Sequence, residues 1–313
     1  MNQQSLETLL ANKSAVQLLR NSSIGPYVYP VVPPEYTNWR DEQGAWQKHC
    51  ILFNQSYHMT DMYVEGPDAL RLLSDLGVNT FKNFGPNKAK QFVACNPEGY
   101  VIGDVILFGL EENRFNLVGR PSVHNWVQFN GEVGGYDVKF ERDERAAAQK
   151  GPVERKAYRY QVQGPNALKV MEKVLGGSVP EVKFFQMQTF TIAGKTVRAL
   201  RHGMVGQPGF ELFGPWAEGE AVKAALVAAG EEFGMRLSGA RAYSSNTLES
   251  GWIPSPLPAV YTSPSMKAYR EWLPATSYEA VASLGGELLL GKYRRLLFDA
   301  LRSRLRPHRK IRS

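Results

Sequence analysis

The apolar residues fall into short runs whose spacing predicts a mixed chain. Leu6, Leu9, Leu10, Val16, Leu18 and Leu19 predict an opening helix over residues 6 to 20, ended by Asn21-Ser22-Ser23-Ile24-Gly25-Pro26. Residues 27 to 34 carry three prolines and must be largely extended, since the residue before each proline is pushed out of the helical region. A helix over Trp39 to Cys50 leads into a strand at Ile51-Leu52-Phe53. The chain then repeats itself weakly. Val64-Glu65-Gly66-Pro67-Asp68-Ala69-Leu70 recurs as Val162-Gln163-Gly164-Pro165-Asn166-Ala167-Leu168, a strand running into Gly with Pro where a helix begins. Behind each, apolar residues recur at helical spacing: Ala69, Leu72, Leu73 and Leu76, then Ala167, Val170, Met171 and Val174. Between the copies, residues 91–95, 101–108 and 114–120 predict a meander of strands. After the second copy, 190–192, 196–200 and 209–213 predict strands, and 217–233 a helix. The pattern predicts an α+β fold, a duplicated body in which each half is a small antiparallel sheet with helices on one face.

Composition changes this picture little. With 43% hydrophobic and 21% charged residues the chain is an ordinary globular one, large enough for a substantial core. It has no apolar run of bilayer length, and the N-terminus lacks a charged region followed by an apolar one, so the expectation is a cytoplasmic protein with no membrane partner. Cys50 and Cys95 form no framework and are expected to be free thiols. The net charge of +7 suggests nucleic acid until it is located: residues 287–313 hold nine basic and two acidic side chains, so the rest of the chain is neutral. No nucleic-acid partner is expected, and the oligomeric state is not legible.

Chemistry is signalled by scattered polar residues. No dinucleotide or phosphate-loop motif occurs, and the five histidines have no ligand spacing, so no metal is expected. In Arg241-Ala242-Tyr243-Ser244-Ser245-Asn246-Thr247-Leu248-Glu249-Ser250-Gly251-Trp252, three-residue spacing predicts a helix with Tyr243, Asn246 and Glu249 on one face. Trp252 follows in a stretch that Pro254, Pro256 and Pro258 keep extended, poor core material but good pocket lining. His58, just past a strand, reads first as a satisfied structural histidine and only second as a functional one. Asp104 lies in an apolar strand and must be paired, hydrogen-bonded or facing a cavity; Glu211 shares that ambiguity. Arg120, before Pro121, is either a surface cap or a fork for a substrate carboxylate.

The run R-A-Y-x-S-N-T-L-E-S-G-W-I-P-S-P-L-P-A (241–259) resembles the tetrahydrofolate-dependent aryl-methyl-ether O-demethylases of the vanillate/syringate type, relatives of the glycine-cleavage T-protein or aminomethyltransferase. So do N-S-x-I-G-x-Y-V-Y-P-V-V (21–32), H-M-x-D-x-Y (58–63), G-P-N-K-A-K-Q (85–91) and L-R-H-G-M (200–204). The resemblance covers residues 1 to about 286 and implies a folate-binding body of two intertwined α+β subdomains around a central channel. It implies methyl transfer from a methoxylated aromatic acid to N5 of tetrahydrofolate, with aminomethyl transfer or folate binding without catalysis as alternatives. It assigns proton transfer to Tyr243, the substrate side to Tyr29, His58 and Arg120, and the cofactor side to Asp104, Gln163, Glu211 and Trp252.

Beyond Gly286 the likeness stops, and the expectation is that a third, C-terminal domain of the family is missing. Residues 287–313 read as a basic amphipathic helix, as an RNA- or membrane-binding arm, or as a frameshift product. The third is preferred, because permissible codons for 287–312 shifted by one nucleotide spell a string resembling the family's own continuation. Weak activity and marginal stability would follow.

Overall fold

The computed structural model describes residues 4–20, 31–149, 152–251 and 255–282. They form two compact units, a smaller one from 4–20 with 260–282 and a larger one from 31–259. The expected opening helix is two: α1 (Leu6–Leu10) and α2 (Ala15–Arg20). The reason lies in Ser14 and Gln17. The Ser14 hydroxyl accepts from Gln17 N–H and the Gln17 amide accepts from Ser14 N–H, both at 3.2 Å, a reciprocal cap that restarts the helix.

In the larger unit α3 (Trp39–Lys48) leads into β1 (Cys50–Asn54) and β2 (Thr60–Glu65), then α4 (Ala69–Leu76). β3 (Lys88–Cys95), β4 (Val101–Glu111) and β5 (Arg114–Gly119) form the meander, followed by α5 (Pro121–Val133) and β6 (Lys139–Asp143). The second half brings β7 (Ala157–Gln163), α6 (Ala167–Leu175), β8 (Met187–Ile192), β9 (Lys195–Arg201), β10 (Gly209–Pro215), α7 (Gly219–Gly230), β11 (Met235–Leu237) and α8 (Ala240–Ser250).

These strands make two sheets, one ordered β11-β1-β7-β10-β9-β8 and the other β3-β4-β5-β2-β6. Every pairing is antiparallel except that of β1 with β11. Both copies of the echoed motif take the same shape. Gly66 and Gly164 have φ of 144° and 126°, and a Cβ there would lie 2.3 Å from the carbonyl of Asp137 and 2.7 Å from that of His49. Only glycine fits both demands. The β8–β9 hairpin turns at Ala193 and Gly194, φ 51° and 71°, the mirror-image turn whose twist suits adjacent strands.

The six-stranded sheet has two unlike faces. Cys50, Leu52, Tyr158, Tyr160, Val162, Phe210 and Leu212 share one apolar core with residues of α6 and α7. The alternate positions face the other way: Ile51 and Phe53 on β1, Arg159, Gln161 and Gln163 on β7, and Gly209, Glu211 and Phe213 on β10. At one end of this second face Leu200, Met187 and Phe213 pack with Ala89, Phe108, Leu110 and Val118 of the five-stranded sheet. The two sheets therefore meet through these inner faces, and β7, though half polar, is buried on both sides.

In the smaller unit, Leu6 N–H donates to Leu273 O at 2.8 Å and Ala275 N–H to Gln4 O at 2.7 Å. Arg270 pairs with Glu7 and donates to Ser263 O at 2.8 Å, and the hydroxyl of Tyr269 donates to the buried Glu279 carboxylate at 2.9 Å. No helix among the described residues is long and apolar enough to cross a membrane.

Candidate active site

Register turns the inner face of the six-stranded sheet into a grid. Gln163 pairs with Ile51 on one side and Gly209 on the other, Gln161 with Phe53 and Glu211, and Arg159 with Phe213. Gln55, just past β1, continues the row by donating its N–H to Arg159 O at 2.9 Å. Gly209 leaves room for this. A Cβ there would sit 2.6 Å from Val162 O and 2.8 Å from Gln161 Nε2.

The tyrosine singled out by the sequence stands at the Gln55 corner. The Tyr243 hydroxyl is 2.9 Å from His58 Nε2 and accepts from Gln55 Nε2 at 3.3 Å. Its ring meets Phe53 edge-on at 5.3 Å and packs beside Trp46, Ile51 and Met204. The ring is half-buried, not sealed. Gln55 and His58 both come from the turn between β1 and β2, the connection that passes from one sheet to the other. The three-residue spacing does not keep one face, however. Each step of three falls ~60° short of a full turn, so Glu249 is rotated well away from Tyr243. It is exposed and bonds Gln43, while Asn246 is buried.

Positive charge surrounds His58. Burial, then Arg120, Arg155, Arg159 and Arg145, push its imidazole down to about 3, so it is neutral near pH 7. Two of these arginines belong to a buried chain of ion pairs that joins the sheets. Arg159 donates to Glu211 Oε1 at 2.5 Å and to Asp61 Oδ1 at 2.8 Å, and Arg155 donates to Asp61 Oδ2 at 3.0 Å and Asp143 Oδ1 at 2.8 Å. Asn116 adds a bond to Asp61 at 2.8 Å. Burial alone would raise the Asp61 carboxyl, but Arg159 and Arg155, aided by Asn116, hold it below the usual range. The Arg159 guanidinium lies against both the Phe108 and Phe213 rings, 5.0 and 4.9 Å from their centroids, and the rings meet each other edge-on at 5.4 Å.

Asp104 projects from the inner face of β4, on the side of Ile106 and Phe108, and is half-buried. Burial raises its carboxyl, against a bond from Gln91 and the charge of Arg120. Arg120 caps α5 and is exposed, its guanidinium acting electrostatically on both His58 and Asp104. Gln163 is fully buried, its Oε1 accepting from Met204 N–H at 2.8 Å. The structure thus joins His58 to Tyr243 of α8, sets Gln163 and Glu211 on the inner face of one sheet and Asp104 on that of the other, and has Arg120, at the head of α5, acting on both His58 and Asp104. Tyr29, Trp252 and the tail after 282 lie outside the described residues.

Four residues of the site escaped the sequence reading: Gln55, Asp61, Arg159 and Gln161. A signal for two existed in Ala157-Tyr158-Arg159-Tyr160-Gln161-Val162-Gln163, where polar side chains alternate with apolar ones in a strand between two others. Among the described residues no cluster of three or more side chains could hold a metal ion.

Residues 20–255 match the family described as the GCVT N-terminal domain. The chain is 56% identical over 283 residues to a syringate O-demethylase from Sphingobium sp. (strain NBRC 103272 / SYK-6), covering 90% of this chain and 61% of that protein. It is 30% identical to an aminomethyltransferase from Corynebacterium aurimucosum, over 72% of this chain and 59% of that one. The chain therefore spans about three fifths of the length of these curated relatives. The fold resembles the crystal structure of glycine cleavage system aminomethyltransferase T from Bartonella henselae, with TM-score 0.58 and 21% identity over 84% of this chain and 68% of that one.

Proposed function

The chain belongs to the GCVT N-terminal domain family, and from that premise we propose that it transfers the methyl group of a methoxylated aromatic acid, of the syringate or vanillate class, to tetrahydrofolate. The observation that carries this is the Tyr243 hydroxyl held by His58 and Gln55, with the exposed Arg120 close enough to act on that histidine. The 56% identity to a protein named for syringate O-demethylation supports the aryl ether over the aminomethyl substrate of more distant relatives.

The residues fit a folate. Gln161 and Gln163 each keep one buried amide atom without a partner among the described residues, and Glu211 offers a buried carboxylate beside them. Such unfilled atoms cost ~1–3 kcal/mol each, which a polar ring with matching groups would recover. Gln163 and Glu211 would hold the ring, with Asp104 on the opposite sheet. Bound tetrahydrofolate supplies a secondary amine as the methyl acceptor.

The chain's own part is acid catalysis and positioning. Phenoxide leaves an ether carbon poorly, and protonating the ether oxygen as the bond breaks lowers that barrier. In the tautomer protonated at Nε2, neutral His58 donates to the Tyr243 oxygen together with Gln55, which directs the phenolic proton out of this pair. Both donors then stabilise the tyrosinate left behind. Tyr243 would give its proton to the ether oxygen and take back the one displaced from the acceptor nitrogen, so the phenol ends unchanged. Arg120 is suited to grip the substrate carboxylate in two hydrogen bonds. The test is to incubate the protein with tetrahydrofolate and syringate or vanillate and look for 5-methyltetrahydrofolate with loss of one aryl methoxy group. Methylene transfer from an aminomethyl donor without ether cleavage would overturn the proposal.

A further inference from the structure

Gln161 and Gln163 project from the same face of β7, about 7 Å apart along the strand. The orientation of each amide is fixed by a backbone group that can play one role. Gln161 Nε2 donates to the His202 carbonyl at 3.0 Å, which can only accept, so its leftover atom is the acceptor Oε1. Gln163 Oε1 accepts from the Met204 N–H, which can only donate, so its leftover atom is the donor Nε2. Both side chains are fully buried. Next to Gln161 in register, Glu211 gives one oxygen to Arg159, and its other oxygen takes no bond from a described residue. The strand thus presents an acceptor and a donor in fixed order, with a second acceptor alongside the first.

We infer that Gln161 is a specificity residue that, with Gln163, selects the hydrogen-bonding edge of a bound pyrimidine ring: a ring N–H meets Gln161 Oε1 and a ring carbonyl meets Gln163 Nε2. This rests on the folate reading above. A 4-oxo pterin offers that pair side by side, N3–H and the C4 carbonyl. A 4-amino analogue offers the reverse, a bare N3 facing an acceptor and an amino group facing a donor. The site therefore takes the 4-oxo ring and rejects the 4-amino one.

Titration calorimetry of the full chain with tetrahydrofolate and with its 4-amino-4-deoxy analogue tests this without any variant. The 4-oxo ligand should bind at least about tenfold more tightly, the cost of mismatching one buried hydrogen bond. Gln161→Met should remove about tenfold of the 4-oxo affinity and narrow the gap between the two ligands, Gln163 Nε2 still facing position 4, while its melting temperature without ligand falls modestly because the bond to His202 O goes with the amide. Equal wild-type affinity for both ligands, or a Gln161→Met variant that discriminates as strongly as the wild type, overturns the inference while leaving the folate reading standing. A wild type that binds no reduced folate overturns both.

Discussion

Removing the Arg159 side chain should be among the most damaging single changes in the larger unit. Arg159→Met keeps the apolar stem but deletes the cation that lies against Phe108 and Phe213 and serves Glu211 at 2.5 Å and Asp61 at 2.8 Å. Asp61 keeps Arg155 at 3.0 Å and Asn116 at 2.8 Å, whereas Arg159 is the cation that pairs with Glu211. The stranded charge is therefore concentrated at 211. Stranding one partner of a buried pair costs about 3–5 kcal/mol, and losing the contacts to two rings adds ~0.5–2 kcal/mol. Against a total stability of ~5–15 kcal/mol this brings the fold close to its limit. Urea denaturation followed by tryptophan fluorescence gives the number. The same substitution in a Glu211→Gln background should cost ~1–2 kcal/mol less, because no carboxylate remains there to be stranded. If Arg159→Met costs the same in both backgrounds within ~0.5 kcal/mol, the stranded-charge argument fails and Arg159 acts through packing.

Tyr243→Phe should lower turnover at least ~100-fold while tetrahydrofolate affinity, measured by calorimetry, is kept; lost affinity would make the phenol structural. Arg120→Met should raise the KM for the aromatic acid ~10–100-fold with kcat less affected, and a methyl ester of that acid should not feel the change. Gly209→Ala should cost ~1–3 kcal/mol in urea melts, since its Cβ meets the Gln161 amide at 2.8 Å and a strand carbonyl at 2.6 Å. Stability should fall on acidification. His58 and His124 are pushed by burial and by nearby arginines down to about 3 and about 4, so the unfolded chain takes up their protons near pH 6.5 and the folded chain does not. Between pH 6.5 and 4 each should remove about 1.4 kcal/mol per pH unit, and a urea midpoint that is flat over this range would contradict the burial of both rings.

How far the sequence reveals this molecule depends on the range of the interaction. The glycine and proline of the echoed motif act within a few residues, and both copies fold as their local pattern implies, each a strand, a left-handed glycine and a helix. Ser14 and Gln17 act as locally, and attention to their spacing would have split the first helix. Tyr243 was visible through the family resemblance, but its partners Gln55 and His58 lie 188 and 185 residues away and depend on how β1 is seated. The ion pairs of Asp61, Arg155 and Arg159 were invisible because charge pairing across two sheets leaves no periodic trace. The polar alternation of β7 was present, but its meaning follows from β1 and β10 as neighbours, which only topology supplies.

The smaller unit has a consequence for how the chain reaches its final state. Its backbone bonds tie residue 4 to residue 275 and residue 6 to residue 273, so two segments far apart in the sequence must meet before this unit can form. Bringing such distant segments together carries a large chain-closure cost that local structure cannot offset early. This seam should then be the last to close and the first to be nicked by a protease, at a stage when the two sheets are already assembled.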